Sequence, residues 1–519
     1  MRATESFGSI KPLLGGYIVA FRQNLGIKLL LIFLVFITLW LRLINLGYSD
    51  YQGDEIRALW LPASGQGAMS FLYTQSKGPM QYLVAYLIKA VDPTYANQLF
   101  ARLPYTLAGI LTIYFFYQLV RTRFGSKIAI YAAVFMACNG LFVGLMRVVQ
   151  YQPFVMLFSV LALYCFSLAS QRESWKIRGI TLGFAFWTIA LFSHYDGIFI
   201  APLAAYLLFL WFRRWEDLTA TARWRVLIIP SIVCTLLLGA YFVPYVLSVP
   251  SGIQDYWIDR ITGEQEIGLL PSSIYTFQLY NPILGLYVYA ALGVFSLIKI
   301  KIALPALAWL ALPWAFMELI IHEPGTHIYT YLLPTAILIG IGVTVLEEFV
   351  LRINGKSLGI WLNTAWISVM FVSLAAISHL IFVDHTPEYP FEQRRIMFWT
   401  IGGRNETYHQ WNYGFPYYRH WEEIRDFLAT QENNGYFASN EKFSITSFYL
   451  PYTNDLDRAG YYLYIHNPQS FRVRDLRGKV RYWRERYPPD KIFENQGRVA
   501  AEVYFIAPGT LQEIKKAGY

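Results

Sequence analysis

The chain has 519 residues, of which 55% are hydrophobic and only 15% are charged. Soluble domains carry nearer a quarter charged residues, so this composition argues against a soluble protein and predicts one that crosses a membrane several times. The net charge of +9 does not indicate a nucleic-acid partner, because the basic residues are spread between apolar segments. They are better explained as topology signals and as contacts for anionic membrane lipids.

Eleven apolar segments approach the roughly 20 residues that a helix needs to cross a ~30 Å hydrocarbon core. They are residues 27–46, 103–120, 128–146, 153–170, 179–196, 197–212, 226–247, 282–298, 303–321, 328–346 and 358–382. A twelfth apolar segment, 80–91, is too short to cross. We expect it to form a helix at the membrane interface or one that is partly inserted.

Basic residues follow alternate segments, which predicts the orientation of the chain. Clusters of lysine and arginine occur near 121–127, 172–178, 213–225, 299–301 and 352–356. The positive-inside rule places these loops and the N-terminus in the cytoplasm. The loops 47–102 and 248–281 and the tail are then extracytoplasmic. We expect a multi-pass protein of a prokaryotic inner (plasma) membrane.

The chain becomes polar from residue 384 onward, and turn signals become frequent. Residues 420–431 have the period of an amphipathic helix, and 436–439, 444–450, 461–465 and 503–506 resemble short strands. The sequence therefore predicts a polytopic α-helical membrane domain, 1–383, followed by an extracytoplasmic α/β domain, 384–519. No internal repeat is evident.

An acidic pair, Asp54 and Glu55, follows directly on the first apolar segment. Carboxylates beside hydrocarbon are costly unless they are paired, solvated or functional. Arg57 and Lys77 offer cations nearby, for the protein itself or for an anionic ligand. We expect the chemistry of this protein at this cluster.

The predicted orientation brings further charged and polar residues to the same face of the membrane. They are Arg102, Arg147, His194, Asp196, Arg260, His322 and His327. A ring of cations around one or two carboxylates suits a site that holds phosphate and removes a proton. Structural roles remain open: the arginines at helix ends suit anchors or ion-pair partners, Glu55 suits a partner of Arg57 or Arg102, and His194 and Asp196 suit each other.

The sequence predicts no dedicated metal site and requires no cofactor. His-x-x-x-His and Cys-x-x-Cys patterns are absent, and His194 with Asp196 alone gives too few ligands. Mg²⁺ held by Asp54, Glu55 and Asp196 together with phosphate oxygens is an open alternative. The glycine-rich phosphate loops of nucleotide enzymes are also absent, which argues against a soluble nucleotide donor.

Four motifs resemble those of the C-type, lipid-donor glycosyltransferases, in particular the protein O-mannosyltransferase-like and aminoarabinose transferase-like enzymes. Gly53-Asp54-Glu55-Ile-Arg57 resembles their acidic motif, and Ser76-Lys77-Gly78-Pro79-Met80 resembles their Lys-Pro-Pro-Leu motif. Ala101-Arg102-Leu-Pro104 through Phe124-Gly125 and Tyr331-Leu-Leu-Pro334 are similar to two further segments of the family.

The resemblance implies transfer of a sugar from a polyprenyl-phosphate donor to an acceptor hydroxyl, outside the cytoplasm, with inversion at the anomeric carbon. Asp54 matches the general base, with Glu55 beside it, and Lys77 matches a residue that holds the donor phosphate. Arg57, Arg260 and Arg147 are expected to assist at that phosphate. The acceptor is left open between a lipid, a glycan and a protein.

The chain departs from the family pattern in two places. Amides, Gln150 and Gln152, follow Arg147 where many members carry a second carboxylate, so we expect these amides to bind sugar hydroxyls together with His194, Asp196 and His327. The family's lysine before Tyr-Leu-Leu-Pro is also missing. The tail is expected either to bind the acceptor or to cover the site.

Two other functions remain open, a transporter or lipid flippase and a scaffold for envelope assembly. Transporters place polar residues and broken helices at mid-membrane, whereas here the charges gather at one face. A scaffold would make Asp54 dispensable.

Overall fold

The computed structural model describes residues 11–262, 280–281, 283–322, 324–386, 388, 394–396, 399–401, 413–432, 434–469, 484–507 and 510. Helices dominate up to residue 382, and a small sheet follows. The helices up to residue 262 are α1 Lys11–Leu43, α2 Gly53–Ala58, α3 Ala68–Leu72, α4 Pro79–Val91, α5 Gln98–Phe124, α6 Ser126–Cys138, α7 Gly140–Leu145, α8 Gln152–Ala169, α9 Arg178–Ser193, α10 Ala201–Arg214, α11 Ala220–Ser248 and α12 Ser251–Thr262. Those that follow before the sheet are α13 Ile283–Ser296, α14 Ile300–Leu319 and α15 Leu332–Phe382.

Seven segments within the described residues are long and apolar enough to cross a membrane, and the chain is an integral membrane protein. All eleven predicted segments lie within or largely overlap helices of the structure. The counts differ because Tyr287–Leu319 and Gly325–Phe382 each overlap two predicted segments, and because Ser126–Cys138 and Arg178–Ser193 are shorter apolar helices.

The 51-residue helix α15 changes direction at Gly355, between the predicted segments 328–346 and 358–382. Gly355 has φ 70° and ψ 171°, outside the helical region. Residues with a side chain rarely adopt this backbone conformation, and glycine does so at little cost. The two predicted spans are therefore the two halves of α15, one on each side of this bend.

The predicted short helix at 80–91 is confirmed as α4, Pro79–Val91. Proline at its first position suits the start of a helix, where its missing N–H costs nothing. Val84, Ala85 and Ile88 are buried, whereas Leu83 and Leu87 are exposed. Apolar residues therefore cover both faces of α4, and its depth in the membrane stays a prediction.

The C-terminal part contains a five-stranded sheet and a separate pair of strands. The pair is formed by β1 Arg394–Ile396 and β2 Trp399–Ile401, and the strands of the larger sheet are β3 Tyr436–Ser439, β4 Thr453–Asn454, β5 Tyr461–Ile465, β6 Lys491–Asn495 and β7 Arg498–Phe505. Their order in the larger sheet is β4-β3-β5-β7-β6. Strands β4, β3 and β5 run parallel, and β7 pairs antiparallel with β5 and β6. Helices α16 Trp421–Ala429 and α17 Phe443–Tyr449 accompany the sheet.

The prediction of a strand at 444–450 is wrong, because this segment forms helix α17. Its buried side chains Ile445 and Tyr449 are four residues apart, which is the spacing of one helical face. That face packs against α2, so a tertiary partner selects the helix over the strand favoured by aromatic and branched residues. The strands β4 and β6 were not predicted.

The sheet shares a hydrophobic core with the loop that follows α1. Trp421, Leu463 and Val503 of the C-terminal part belong to the same buried cluster as Tyr51 and Ile56. The hydroxyl of Tyr449 also accepts a hydrogen bond from the backbone N–H of Tyr51, at 2.7 Å. The C-terminal part is thus fixed directly to the acidic loop. The division at 383/384 into two domains stays a prediction.

Candidate active site

The acidic pair lies on the short helix α2, whose first turn contains both carboxylates. The backbone N–H of Gln52 donates to Oε2 of Glu55 at 3.0 Å, which caps the start of the helix. Successive helical residues point about 100° apart. Asp54 and Glu55 therefore face different surroundings.

Glu55 is buried and fully engaged with Arg102. The Nε and Nη2 atoms of Arg102 donate to the two carboxylate oxygens, each at 2.9 Å, and the backbone N–H of Val149 donates to Oε1 at 2.9 Å. The remaining N–H groups of Arg102 donate to the backbone carbonyls of Leu46, Ser49 and Asp50. This saturated pair holds the loop together, and the expected catalytic role of Glu55 stays a prediction.

Asp54 points instead into a cavity, where one third of its side chain is accessible. Its Oδ2 accepts a hydrogen bond of 2.6 Å from the Tyr413 hydroxyl, and its Oδ1 lies 4.0 Å from Nη1 of Arg57. Burial by itself would raise the pKa of Asp54, but Lys77, Lys442 and the Tyr413 hydrogen bond lower that pKa below its ordinary value. Asp54 is therefore ionised at neutral pH.

Lys77 reaches the same cavity from the residues before α4. Its Nζ lies 4.6 Å from the ring centroid of Tyr151, a cation–π contact. Burial is the largest influence on the pKa of Lys77 and holds it below its ordinary value, although Asp54 acts in the opposite direction.

Steric crowding explains why glycine occupies position 78, where the family motif has its first proline. A Cβ atom at this position would lie 2.1 Å from the backbone oxygen of Phe192. The close approach of residue 78 to the end of α9 therefore requires glycine, and it sets the position of Lys77 next to the end of that helix.

The cavity has a volume of about 500 Å³, within the range of small-molecule sites. Among the described residues that line it, Asp54 contributes a carboxylate and Arg57, Lys77, Arg260 and Lys442 contribute four positive charges. Its remaining lining combines amides and hydroxyls with aromatic side chains, including Trp60, Tyr195 and Trp257. Such a lining suits an anionic ligand that also carries an apolar or sugar portion.

Arg260 lies in the last turn of α12 and is buried. One guanidinium nitrogen, Nη2, donates to the backbone oxygen of Pro324 at 2.9 Å, and its own backbone oxygen accepts from the N–H of His322. These bonds connect α12 to the short segment before the late span. The structure thereby brings Arg260 to the cavity that Asp54 and Lys77 line.

His194, Asp196 and His327 form a compact group at the cavity wall. Oδ2 of Asp196 lies 3.2 Å from Nδ1 of His194 and 2.7 Å from Nδ1 of His327. Both histidines line the cavity, whereas the Asp196 side chain is fully buried behind them. Sequence reasoning counted too few ligands for a metal here, because the third, His327, lies 131 positions from Asp196.

Three predicted substrate-binding residues lie away from this cavity. Arg147 donates to the backbone oxygens of Leu41 and Asn45, and so connects the end of α7 to α1. Gln150 and Gln152 are buried, and neither lines the cavity. Their expected contacts with the donor phosphate and sugar stay a prediction. The alternative Mg²⁺ site also stays a prediction, and its expected ligand Glu55 is paired with Arg102.

Sequence reasoning missed the residues that the C-terminal part contributes. Tyr413 and Lys442 line the cavity beside Asp54, and Oε1 of Gln469 accepts the backbone N–H of Gly53 at 3.0 Å. No motif surrounds these residues in the sequence. Their position next to Asp54 follows only from the shared core described above.

Residues 76–241 match the family model of dolichyl-phosphate-mannose-protein mannosyltransferases. This match confirms the resemblance to the family, and it contains two of the four motifs, at 76–80 and 101–125. The matched segment includes Lys77 and His194, whereas Asp54 precedes it and Arg260 follows it. Over this segment the chain is glycosyltransferase-like. No curated protein of similar sequence is found.

Solved structures of two proteins resemble the chain at low identity. ArnT from Cupriavidus metallidurans in the apo state matches with a TM-score of 0.47 and 12% identity, over 95% of this chain and 98% of ArnT. The oligosaccharyltransferase AglB from Archaeoglobus fulgidus, in complex with an inhibitory peptide and a dolichol-phosphate, matches with a TM-score of 0.47 and 12% identity. That match covers 92% of this chain and 62% of AglB, so the chain spans less than two thirds of AglB.

Proposed function

We propose that this protein is an integral membrane glycosyltransferase that moves a sugar from a polyprenyl-phosphate donor to an acceptor hydroxyl on the extracytoplasmic side. The observation that carries the proposal is the cavity in which the Asp54 carboxylate lies among Arg57, Lys77, Arg260 and Lys442. The match of residues 76–241 to a mannosyltransferase family supports the same reaction class.

The four cations suit the donor phosphate. When the bond between the anomeric carbon and the phosphate oxygen breaks, the electron pair and the negative charge pass to the phosphate. Fixed positive charges that face this oxygen stabilise the charge as it develops. Lys77 is the residue that we assign first to this role, because it is held at the cavity by Tyr151 and is matched by the family motif.

Asp54 is the proposed general base. The acceptor hydroxyl attacks the anomeric carbon from the side opposite the phosphate, so the configuration inverts, and Asp54 takes the hydroxyl proton. A positioned carboxylate contributes about 10²–10⁴-fold to such a step. Tyr413 donates to one oxygen, Oδ2, and so orients the carboxylate toward the acceptor.

The acceptor is a lipid, a glycan or a protein, and the tail helps to form its entrance. Tyr413 and Lys442 lie on the same cavity as Trp60 and Trp257, so both parts of the chain border the space that an acceptor must enter. The charge pattern of the loops supports a position of this cavity outside the cytoplasm.

The proposal is tested by sugar transfer from a panel of radiolabelled polyprenyl-phosphate sugars to membrane acceptors. We expect Asp54→Asn to lower transfer by about 10²–10⁴-fold, because the amide cannot accept the proton. Asp217→Asn is the matched control, since Asp217 pairs with Lys176 and its side chain is 57% exposed.

Equal transfer by Asp54→Asn and wild type would remove Asp54 as the base. Absence of transfer from every donor, with folded protein verified, would favour the transporter or flippase.

A further inference from the structure

We infer that His194, Asp196 and His327 bind a divalent transition-metal ion of the zinc type. The site is independent of the proposed transfer reaction, because the positions of its ligand atoms support it. One ring nitrogen of each histidine and one carboxylate oxygen of Asp196 all lie within 4.8 Å of one another, and all three residues are buried.

The separations of these atoms fit a small tetrahedral ion. Zinc ligands lie about 2.0–2.2 Å from the metal, which places neighbouring ligand atoms roughly 3.3–3.6 Å apart. The distance from Oδ2 of Asp196 to Nδ1 of His194 is 3.2 Å, and that to Nδ1 of His327 is 2.7 Å. A shift of well under 1 Å by the His327 ring would complete the geometry.

Nδ1 of His194 faces a hydrogen-bond donor and an acceptor of Asp196 at the same time. Nδ1 of His194 faces the backbone N–H of Asp196, at 3.3 Å, and also Oδ2 of Asp196. An unprotonated Nδ1 accepts from that N–H but then directs its lone pair at a carboxylate. A protonated Nδ1 suits the carboxylate but opposes the N–H. A metal ion between Nδ1 and Oδ2 removes the opposition between these two acceptor atoms, and the 3.3 Å contact with the N–H is then given up.

The open side of the group faces the cavity. The two imidazoles line it, whereas Asp196 is enclosed behind them. Three protein ligands with one position open to substrate is the arrangement of catalytic rather than structural zinc. Two imidazoles and one carboxylate also favour zinc and its neighbours over magnesium and calcium, which prefer oxygen.

Lys77 and Arg260 on the same cavity oppose a bare cation, because like charges repel. An oxyanion bound at the fourth position would offset this repulsion. We therefore expect the affinity for zinc to rise when inorganic phosphate is present.

The test uses the purified full chain, freed of any affinity tag and treated with chelator. Zinc binding is measured by calorimetry, and Co²⁺ replaces zinc so that visible absorption reports tetrahedral ligands. Wild type is expected to bind one equivalent, more tightly with inorganic phosphate, and His327→Gln to lose at least about tenfold in affinity. His322→Gln is the matched control, because His322 is exposed on the same connection and lies outside the group.

The inference is overturned if wild type takes up no zinc. It is also overturned if His327→Gln and His322→Gln bind zinc equally well. Sugar transfer by chelated protein that binds no zinc would overturn this site and leave the proposed function intact. Zinc binding by a protein that transfers no sugar would support this site and overturn the proposed function.

Discussion

Asp54 and Glu55 are neighbours in the chain, yet the two regions that surround them differ in almost every respect. Glu55 lies in a buried cluster where Arg102 and the N–H of Val149 satisfy both oxygens. Asp54 lies at a cavity among four cations, and one third of its side chain is accessible. A buried, saturated ion pair fixes structure, whereas an accessible carboxylate with a free approach can react.

The comparison shows why two adjacent acids need not share a task. The helical turn of α2 separates their directions by about 100°, so each meets a different set of elements. The Glu55 side is closed by α5 and the segment after α7, and the Asp54 side is bordered by the Lys77 segment and the C-terminal part. The predictions below test this separation of structure from chemistry.

The largest difference is expected in stability. Glu55→Gln leaves the buried Arg102 without a counter-charge, and breaking such a pair costs about 3–5 kcal/mol. Asp54→Asn should cost clearly less, because water reaches Asp54 and weakens its interactions with the cations. Thermal unfolding of both variants in detergent measures the difference. Equal destabilisation would show that the two regions are not distinct.

A smaller effect is expected from Tyr413→Phe, which alters the cavity side alone. Loss of the hydrogen bond should lower kcat by roughly tenfold, on the scale of a hydrogen bond to a charged group, with little change in KM for the donor. That hydrogen bond lowers the pKa of Asp54, so its loss raises this pKa. The acidic limb of the pH–rate profile should therefore move to higher pH.

Tyr418→Phe serves as the control for this experiment, because the Tyr418 hydroxyl donates to the exposed Glu423 in the same part of the chain. A purely structural role of Tyr413 would lower activity without moving the acidic limb. That result would remove Tyr413 as the residue that positions Asp54.

The smallest expected effect concerns the pH dependence of donor binding. Burial lowers the pKa of Lys77, so its ammonium loses the proton, and the donor phosphate its partner, at a pH below that of an ordinary lysine. KM for the donor should rise on the alkaline side in wild type. Lys77→Arg should abolish that rise, since arginine stays charged.

Lys89→Arg on α4 is the corresponding control for the pH experiment, because Lys89 is exposed and does not line the cavity. If the rise in KM at alkaline pH persists in Lys77→Arg, a group other than Lys77 causes it.

The sequence by itself determined the membrane helices, because their apolar length is a local property that the bilayer thickness demands. It also located α4, three strands of the C-terminal sheet, and the motifs that contain Asp54 and Lys77. Each of these depends on residues that are close together in the chain. Prediction from the local pattern failed where packing decided the secondary structure. Helix α17 is the example: its composition favours a strand, but its contacts with α2 stabilise a helix.

Only the tertiary structure decided which acid is accessible and what surrounds it. Arg102 lies 47 positions from Glu55, and His327 lies 131 positions from Asp196. Tyr413 reaches Asp54 across 359 positions. Such pairings are set by the packing of helices and by the core that the sheet shares with the acidic loop. Because charge and hydrogen bonding act over a few ångströms of space and not along the chain, the roles of these residues follow from the fold.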